Sequence, residues 1–126
     1  MISYFKKQIR STKHAFDGLR IMLKDYNAFI HIPSAILATT FSFAFQISST
    51  EWLFILSAIA LVWISEILNT ALEKLVDLVS PERNETAGQI KDLAAGAVLV
   101  AAIYALVVGI IIFGERIFFV LKNMNL

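Results

Sequence analysis

The chain of 126 residues has no cysteine, two prolines and five glycines. Without cysteine there is no disulfide and no thiolate chemistry. The glycines stand apart, so neither G-x-x-x-x-G-K-[ST] nor G-x-G-x-x-G occurs, and the usual phosphate-cradling loops are excluded. Histidine is equally scarce. His14 and His31 form no H-x-x-x-H or E-x-x-H pair and have no serine partner for a Ser-His-Asp set. The N-terminus lacks the short apolar core and cleavage site of a secretory signal peptide.

Apolar residues are plentiful. They make up 58% of the chain, with a mean hydropathy of +0.72, where a soluble domain has roughly 45–50%. Lipid is therefore the expected solvent, and the length suits one domain, 1–126, without a separate soluble catalytic module. Net charge is only +1. The basic residues cluster, however: Lys6, Lys7, Arg10, Lys13, Arg20 and Lys24 precede Asn27, opposed there by Asp17 and Asp25. Beside membrane spans, such a stretch suits anionic headgroups better than nucleic acid.

Phe5, Ile9, Phe16, Leu19 and Leu23 recur on one side of a helix and the basic residues on the others, which predicts an amphipathic surface helix over 1–25. After the polar break Asp25-Tyr26-Asn27, residues 28–47 carry no acid, lysine or arginine, and read as a first membrane span with Pro33 in its opening turns. A short connection follows, with Ser49 or Thr50 as the expected cap of the next helix. The second span runs over 52–79, opened by Trp52 and closed by Ser80-Pro81. Residues 82–89 read as a polar loop, 93–113 as a third span, and 114–126 as an interfacial tail. Ala97, Ala101, Ala105 and Gly109 recur every fourth residue in that span, a stripe suited to close helix packing in lipid. The basic residues of 1–25 and of 82–91 fall on one side, which the positive-inside rule makes cytoplasmic.

The second span is not uniformly apolar. Glu66, Asn69, Glu73 and Asp77 lie at offsets that return to one helix face. Glu66 stands roughly 21 Å along the axis from Trp52, toward the far side of a hydrocarbon layer of roughly 30 Å. An acid at the centre of a span costs roughly 2.5–3.5 kcal/mol on insertion scales, so Glu66 is a candidate functional residue. Lys91 and Asp92 reach a similar height at the entrance of the third span. Several carboxylates beside a lysine and an amide, facing cytosol and membrane together, suit a magnesium–nucleotide complex, and a base at the depth of Glu66 would meet a lipid hydroxyl. Two other classes fit the same residues: a proton-coupled transporter with Glu66 as carrier, and a non-catalytic scaffold assembled on the small-residue stripe.

Glu66-Ile67-Leu68-Asn69-Thr70-Ala71-Leu72-Glu73, with Asp77 and then Lys91-Asp92, closely resembles the prokaryotic diacylglycerol kinase family, which includes the undecaprenol kinases. The resemblance extends from the surface helix to about Phe113. It implies an all-α integral membrane protein, with one surface helix and three membrane helices per subunit of a homotrimer whose active sites are shared between subunits. It also implies an ATP- and Mg2+-dependent lipid kinase of the bacterial inner membrane, with its site facing the cytoplasm. On this resemblance Glu66 is the general base, Asn69 its neighbour in the motif, and Glu73 a magnesium ligand. Asp77, Lys91 and Asp92 take the polar positions around the nucleotide. Asp25 takes the place of a second metal-binding acid, and Lys7 or Arg10 that of an N-terminal arginine. Val79-Ser80-Pro81-Glu82 and the run from Leu93 to Val98 are more similar to the undecaprenol kinase branch.

Overall fold

The computed structural model describes residues 1–24, 28–82 and 84–124. They form four helices: α1 (Ile2–Leu23), α2 (Ala28–Ala44), α3 (Ser49–Val79) and α4 (Glu85–Met124). At 1.5 Å per residue, α3 and α4 are roughly 47 and 60 Å long, more than the roughly 30 Å of a hydrocarbon core. Both are long and apolar enough to cross a membrane. α2 has 17 residues and reaches that length only together with residues 7–23, from which it departs by 100°. The described residues are all-helical, as in a membrane protein, with two helices fit to span, or three if that bent pair is one span.

Local chemistry sets where the helices start and stop. α3 is capped by Ser48, one residue before the expected Ser49 or Thr50. Its hydroxyl accepts from the Glu51 N–H, while the Glu51 carboxylate accepts from the Ser48 N–H at 2.8 Å. Of Ser48, Ser49 and Thr50, only Ser48 stands three residues before a glutamate, which this reciprocal box needs. At the other end the Ser80 N–H donates to the Val76 carbonyl, Ser80 leaves the helical conformation, and Pro81 follows. α4 begins at Glu85, inside the stretch read as a loop, because the Asn84 side-chain oxygen accepts from the N–H groups of Thr86 and Ala87.

Two further boundaries differ from the sequence reading. α2 stops at Ala44 and does not reach 47. The Gln46 N–H donates to Phe43 and the Ile47 N–H to Ser42, while Gln46 adopts φ 49°. This is a Schellman stop with glutamine in the left-handed position usually taken by glycine. Ile47, 6% exposed, turns back into the core and anchors the stop. α4, by contrast, runs on through Gly114 to Met124, so 114–124 is helix continuous with the span. A single internal glycine costs about 1 kcal/mol, and no proline follows it. The Arg116 guanidinium also donates to the Ile112 carbonyl across that position.

α3 and α4 form the principal helix pair. Ile55, Val62, Asn69 and Val76 are buried on α3, and Ala94, Ala101 and Val108 on α4. Both rows repeat every seven residues, the period of a coiled-coil seam. Of the small-residue stripe only Ala101 is buried, and Ala97 is exposed, because the helices meet along the seven-residue row and not the four-residue one. Ile47, Ile55, Ala58, Val108, Ile112 and Phe113 form the core, flanked by Phe41, Phe45, Trp52 and Tyr104. Phe41 meets both Phe45 and Phe113 edge-on at 5.9 Å. At this end Arg116 holds Glu51 through two hydrogen bonds of 2.8 and 3.2 Å, tying α4 to the start of α3. Leu53, Leu68, Leu99, Ile103 and Ile110 stay exposed, as side chains do when lipid is the solvent. On α1, Ile9, Phe16 and Leu19 are exposed and Met22 is buried.

Candidate active site

The apolar core gathers near the 45–48 connection, and the polar residues gather at the other end of α3. Glu66 is 4% exposed, Asn69 6% and Thr70 8%. Glu73 is half-buried, while Asp77 is exposed. The stripe therefore grades from enclosed to open along about three helical turns. Asn69 Nδ2 donates to Glu73 Oε1 at 3.1 Å, one turn away, and thereby orients that carboxylate. Asn69 Oδ1 is buried and has no hydrogen-bond partner among the described residues. Below it, Lys91 Nζ donates to Asp77 Oδ1 at 2.5 Å and joins the start of α4 to the end of α3. Consecutive helical residues point about 100° apart, so Lys91 takes this contact while its neighbour Asp92 is exposed. Lys7 and Arg10 are exposed on α1, and Asp25 lies outside the described residues.

The structure adds a residue that the sequence reading set aside. His31 of α2 places Nε2 at 2.7 Å from Glu66 Oε1. The signal was available in the hairpin arithmetic. Counting equally back and forward from Ile47 sets position 31 opposite position 63, less than one helical turn from Glu66. His31 also lines a cavity of about 180 Å³ between α2, α3 and α4, whose other walls include Ala35, Val62, Trp63 and Gly109.

This arrangement bears directly on a metal ion. Among the described residues no three His, Asp or Glu side chains converge to hold one. Magnesium asks for less than that, since it keeps several waters and is commonly bound by one or two carboxylates together with substrate phosphates. Glu73, half-buried and pre-oriented by Asn69, supplies one such carboxylate. The residues fit a magnesium ion that arrives on a nucleotide.

The family model described as prokaryotic diacylglycerol kinase matches residues 13–113. The chain belongs to the prokaryotic diacylglycerol kinase family. Relatives within it carry two different names. The chain is 31% identical to the undecaprenol kinase of Bacillus subtilis over 110 residues, covering 87% of each chain. It is 34% identical to the diacylglycerol kinase of Haemophilus influenzae over 112 residues, 88% of this chain and 92% of that one. With the diacylglycerol kinase of Escherichia coli K12 it shares 32% over 104 residues, 82% of this chain and 85% of that one. Identities of 31%, 32% and 34% rank neither name above the other, so the acceptor lipid is a matter for chemistry.

Proposed function

We propose that this chain transfers the γ-phosphoryl group of magnesium–ATP to the hydroxyl of a membrane lipid, undecaprenol or diacylglycerol, at the cytoplasmic face of the bacterial inner membrane. Membership of the family makes it a lipid kinase. The observation that carries the fuller reading is the enclosed carboxylate of Glu66 inside a membrane-crossing helix, one face and two turns from the oriented carboxylate of Glu73. A buried acid at that depth is costly to maintain, and a hydroxyl that brings its own acyl or prenyl tail into the lipid is the substrate it can reach.

The roles follow from depth. Glu66 accepts the proton of the lipid hydroxyl as its oxygen forms the bond to the γ-phosphorus and the bond to ADP breaks. Glu73, with Asp25 as the second acid, holds magnesium. When bound, magnesium neutralises charge on the phosphate oxygens and fixes their orientation. Lys91 exchanges Asp77 for phosphate oxygens, which its partly exposed position permits. Asp77 and Asp92 complete the polar rim, and Lys7 or Arg10 reaches it from the surface helix, whose exposed apolar residues rest in the interface. The subunits assemble as a homotrimer with shared sites, in which the buried Asn69 Oδ1 receives a donor from bound substrate.

Transfer of labelled γ-phosphate from ATP by purified protein in mixed micelles tests this reading, with undecaprenol and diacylglycerol offered separately to wild type and Glu66→Gln. Labelled lipid that is lost in the variant supports the kinase and its base, and the better acceptor settles the branch. No labelled lipid from either acceptor, in folded protein with magnesium present, sinks the catalytic reading and brings a proton-coupled transporter forward.

A further inference from the structure

His31 and Glu66 come from different helices, 35 residues apart in sequence, and meet at 2.7 Å with side chains only 17% and 6% exposed. An ionised carboxylate offers no hydrogen, so in the basic state of Glu66 the imidazole must donate from Nε2. Such a charge-assisted bond is short and directional. His31 lines a mostly apolar cavity. Ala35, Val62 and Trp63 are among its neighbours in the cavity, and the nearby Ser34 hydroxyl is committed to the Ile30 carbonyl.

A contact of this kind is a poor way to fasten two membrane helices together. A buried polar contact to a carboxylate seldom stabilises more than well-packed apolar side chains of the same volume, and α2 already meets its neighbours through Phe41, Phe43 and Phe45. Its use lies in geometry. A glutamate has three rotatable side-chain bonds, and a base must stand within hydrogen-bond reach of the proton it takes. We infer that His31 is a positioning residue for the kinase reaction: its Nε2–H holds the Glu66 carboxylate in the orientation that accepts the lipid hydroxyl's proton. The inference rests on the reading of Glu66 as base. The proton moves from the lipid hydroxyl to Glu66, and the imidazole keeps its own throughout.

The test uses the full chain in mixed micelles at saturating magnesium–ATP and lipid, comparing wild type, His31→Leu, His31→Gln and Glu66→Gln. Leucine fills the space without a donor, while glutamine returns an N–H at nearly the same reach. The expected result is a fall in kcat of about 10- to 100-fold for His31→Leu, the range to which a hydrogen bond to a charged group corresponds. KM for ATP and for lipid should stay within about twofold, and His31→Gln should recover most of the loss. A purely structural histidine would give either no change or a joint loss of kcat, KM and thermal midpoint, with glutamine no better than leucine. Either pattern overturns the inference. Full activity in His31→Leu beside a dead Glu66→Gln would remove His31 and leave the base standing. Activity in Glu66→Gln would remove the base itself, and the positioning role with it.

Discussion

Replacing Asn69 by leucine should separate activity from stability. Two polar atoms are lost at a site only 6% exposed. The Nδ2 donor to Glu73 at 3.1 Å is a hydrogen bond to a charged group, which contributes about 1.5–3 kcal/mol. The Oδ1 acceptor, buried without a partner among the described residues, carries a desolvation penalty of about 1–3 kcal/mol that the variant no longer incurs. The two effects oppose each other and are of similar size. Leucine also suits the seven-residue seam that Asn69 interrupts between Val62 and Val76. The unfolding midpoint in detergent should therefore move by only a few degrees, in either direction. Function should not be spared. Glu73 is the proposed magnesium ligand, and removing the partner that orients a metal-binding carboxylate typically costs about 10- to 100-fold in metal affinity or activity. The assay is initial rate against free magnesium at fixed ATP, beside a thermal melt of the same preparation. The half-saturating magnesium concentration should rise by about that factor, with part of the rate restored at high magnesium. A variant that melts with wild type and keeps its magnesium dependence would refute the orienting role. One that loses rate only in step with a collapsed melting point would show Asn69 to be structural.

Other expectations follow from single contacts. Gln46→Gly relieves a left-handed residue at the end of α2 and should stabilise the protein by about 0.5–1 kcal/mol, whereas Gln46→Val should destabilise it by about 1–2 kcal/mol, both read from unfolding midpoints. Lys91→Met should leave the midpoint nearly unchanged, because the ion pair with Asp77 has side chains 37% and 67% exposed and such pairs contribute about 0–1 kcal/mol. The same variant should lower kcat/KM for ATP by about 10- to 100-fold through loss of a phosphate contact. Arg116→Met and Glu51→Gln should each lower the midpoint, and the double variant should be little worse than Arg116→Met alone, since the ion pair is already lost there. Their kinetic constants should match wild type, because that pair sits at the opposite end of α3 from Glu66 and Glu73.

What could be read from the chain alone was whatever depends on composition and on one helix at a time. Apolar content and the long runs at 52–68 and 93–113 specify lipid as solvent, because no water-soluble core of this size could hide so many apolar residues. The spacing of Glu66, Asn69, Glu73 and Asp77 puts them on one face wherever that helix is placed, since 3.6 residues per turn is a property of the backbone. The motif they form was also enough to point to the family. Ser80-Pro81 is a stop written in covalent geometry, and α3 ends at Val79.

The rest required helices to meet. Gln46 accepted a left-handed conformation because Ile47 had a core to enter. Gly114 broke nothing, since a helix that crosses lipid keeps its backbone bonds when no partner offers better. Ala97 looked equivalent to Ala101 in sequence, and only the α3–α4 crossing made one buried and the other exposed. His31 shows the division most clearly. Alone it is one histidine in an apolar helix; its meaning arises because an antiparallel return brings Glu66 to within 2.7 Å of its ring. Periodicity fixes which residues share a face of one helix. Which residues face each other across two helices is decided by the turn between them and by packing, and no local pattern encodes that.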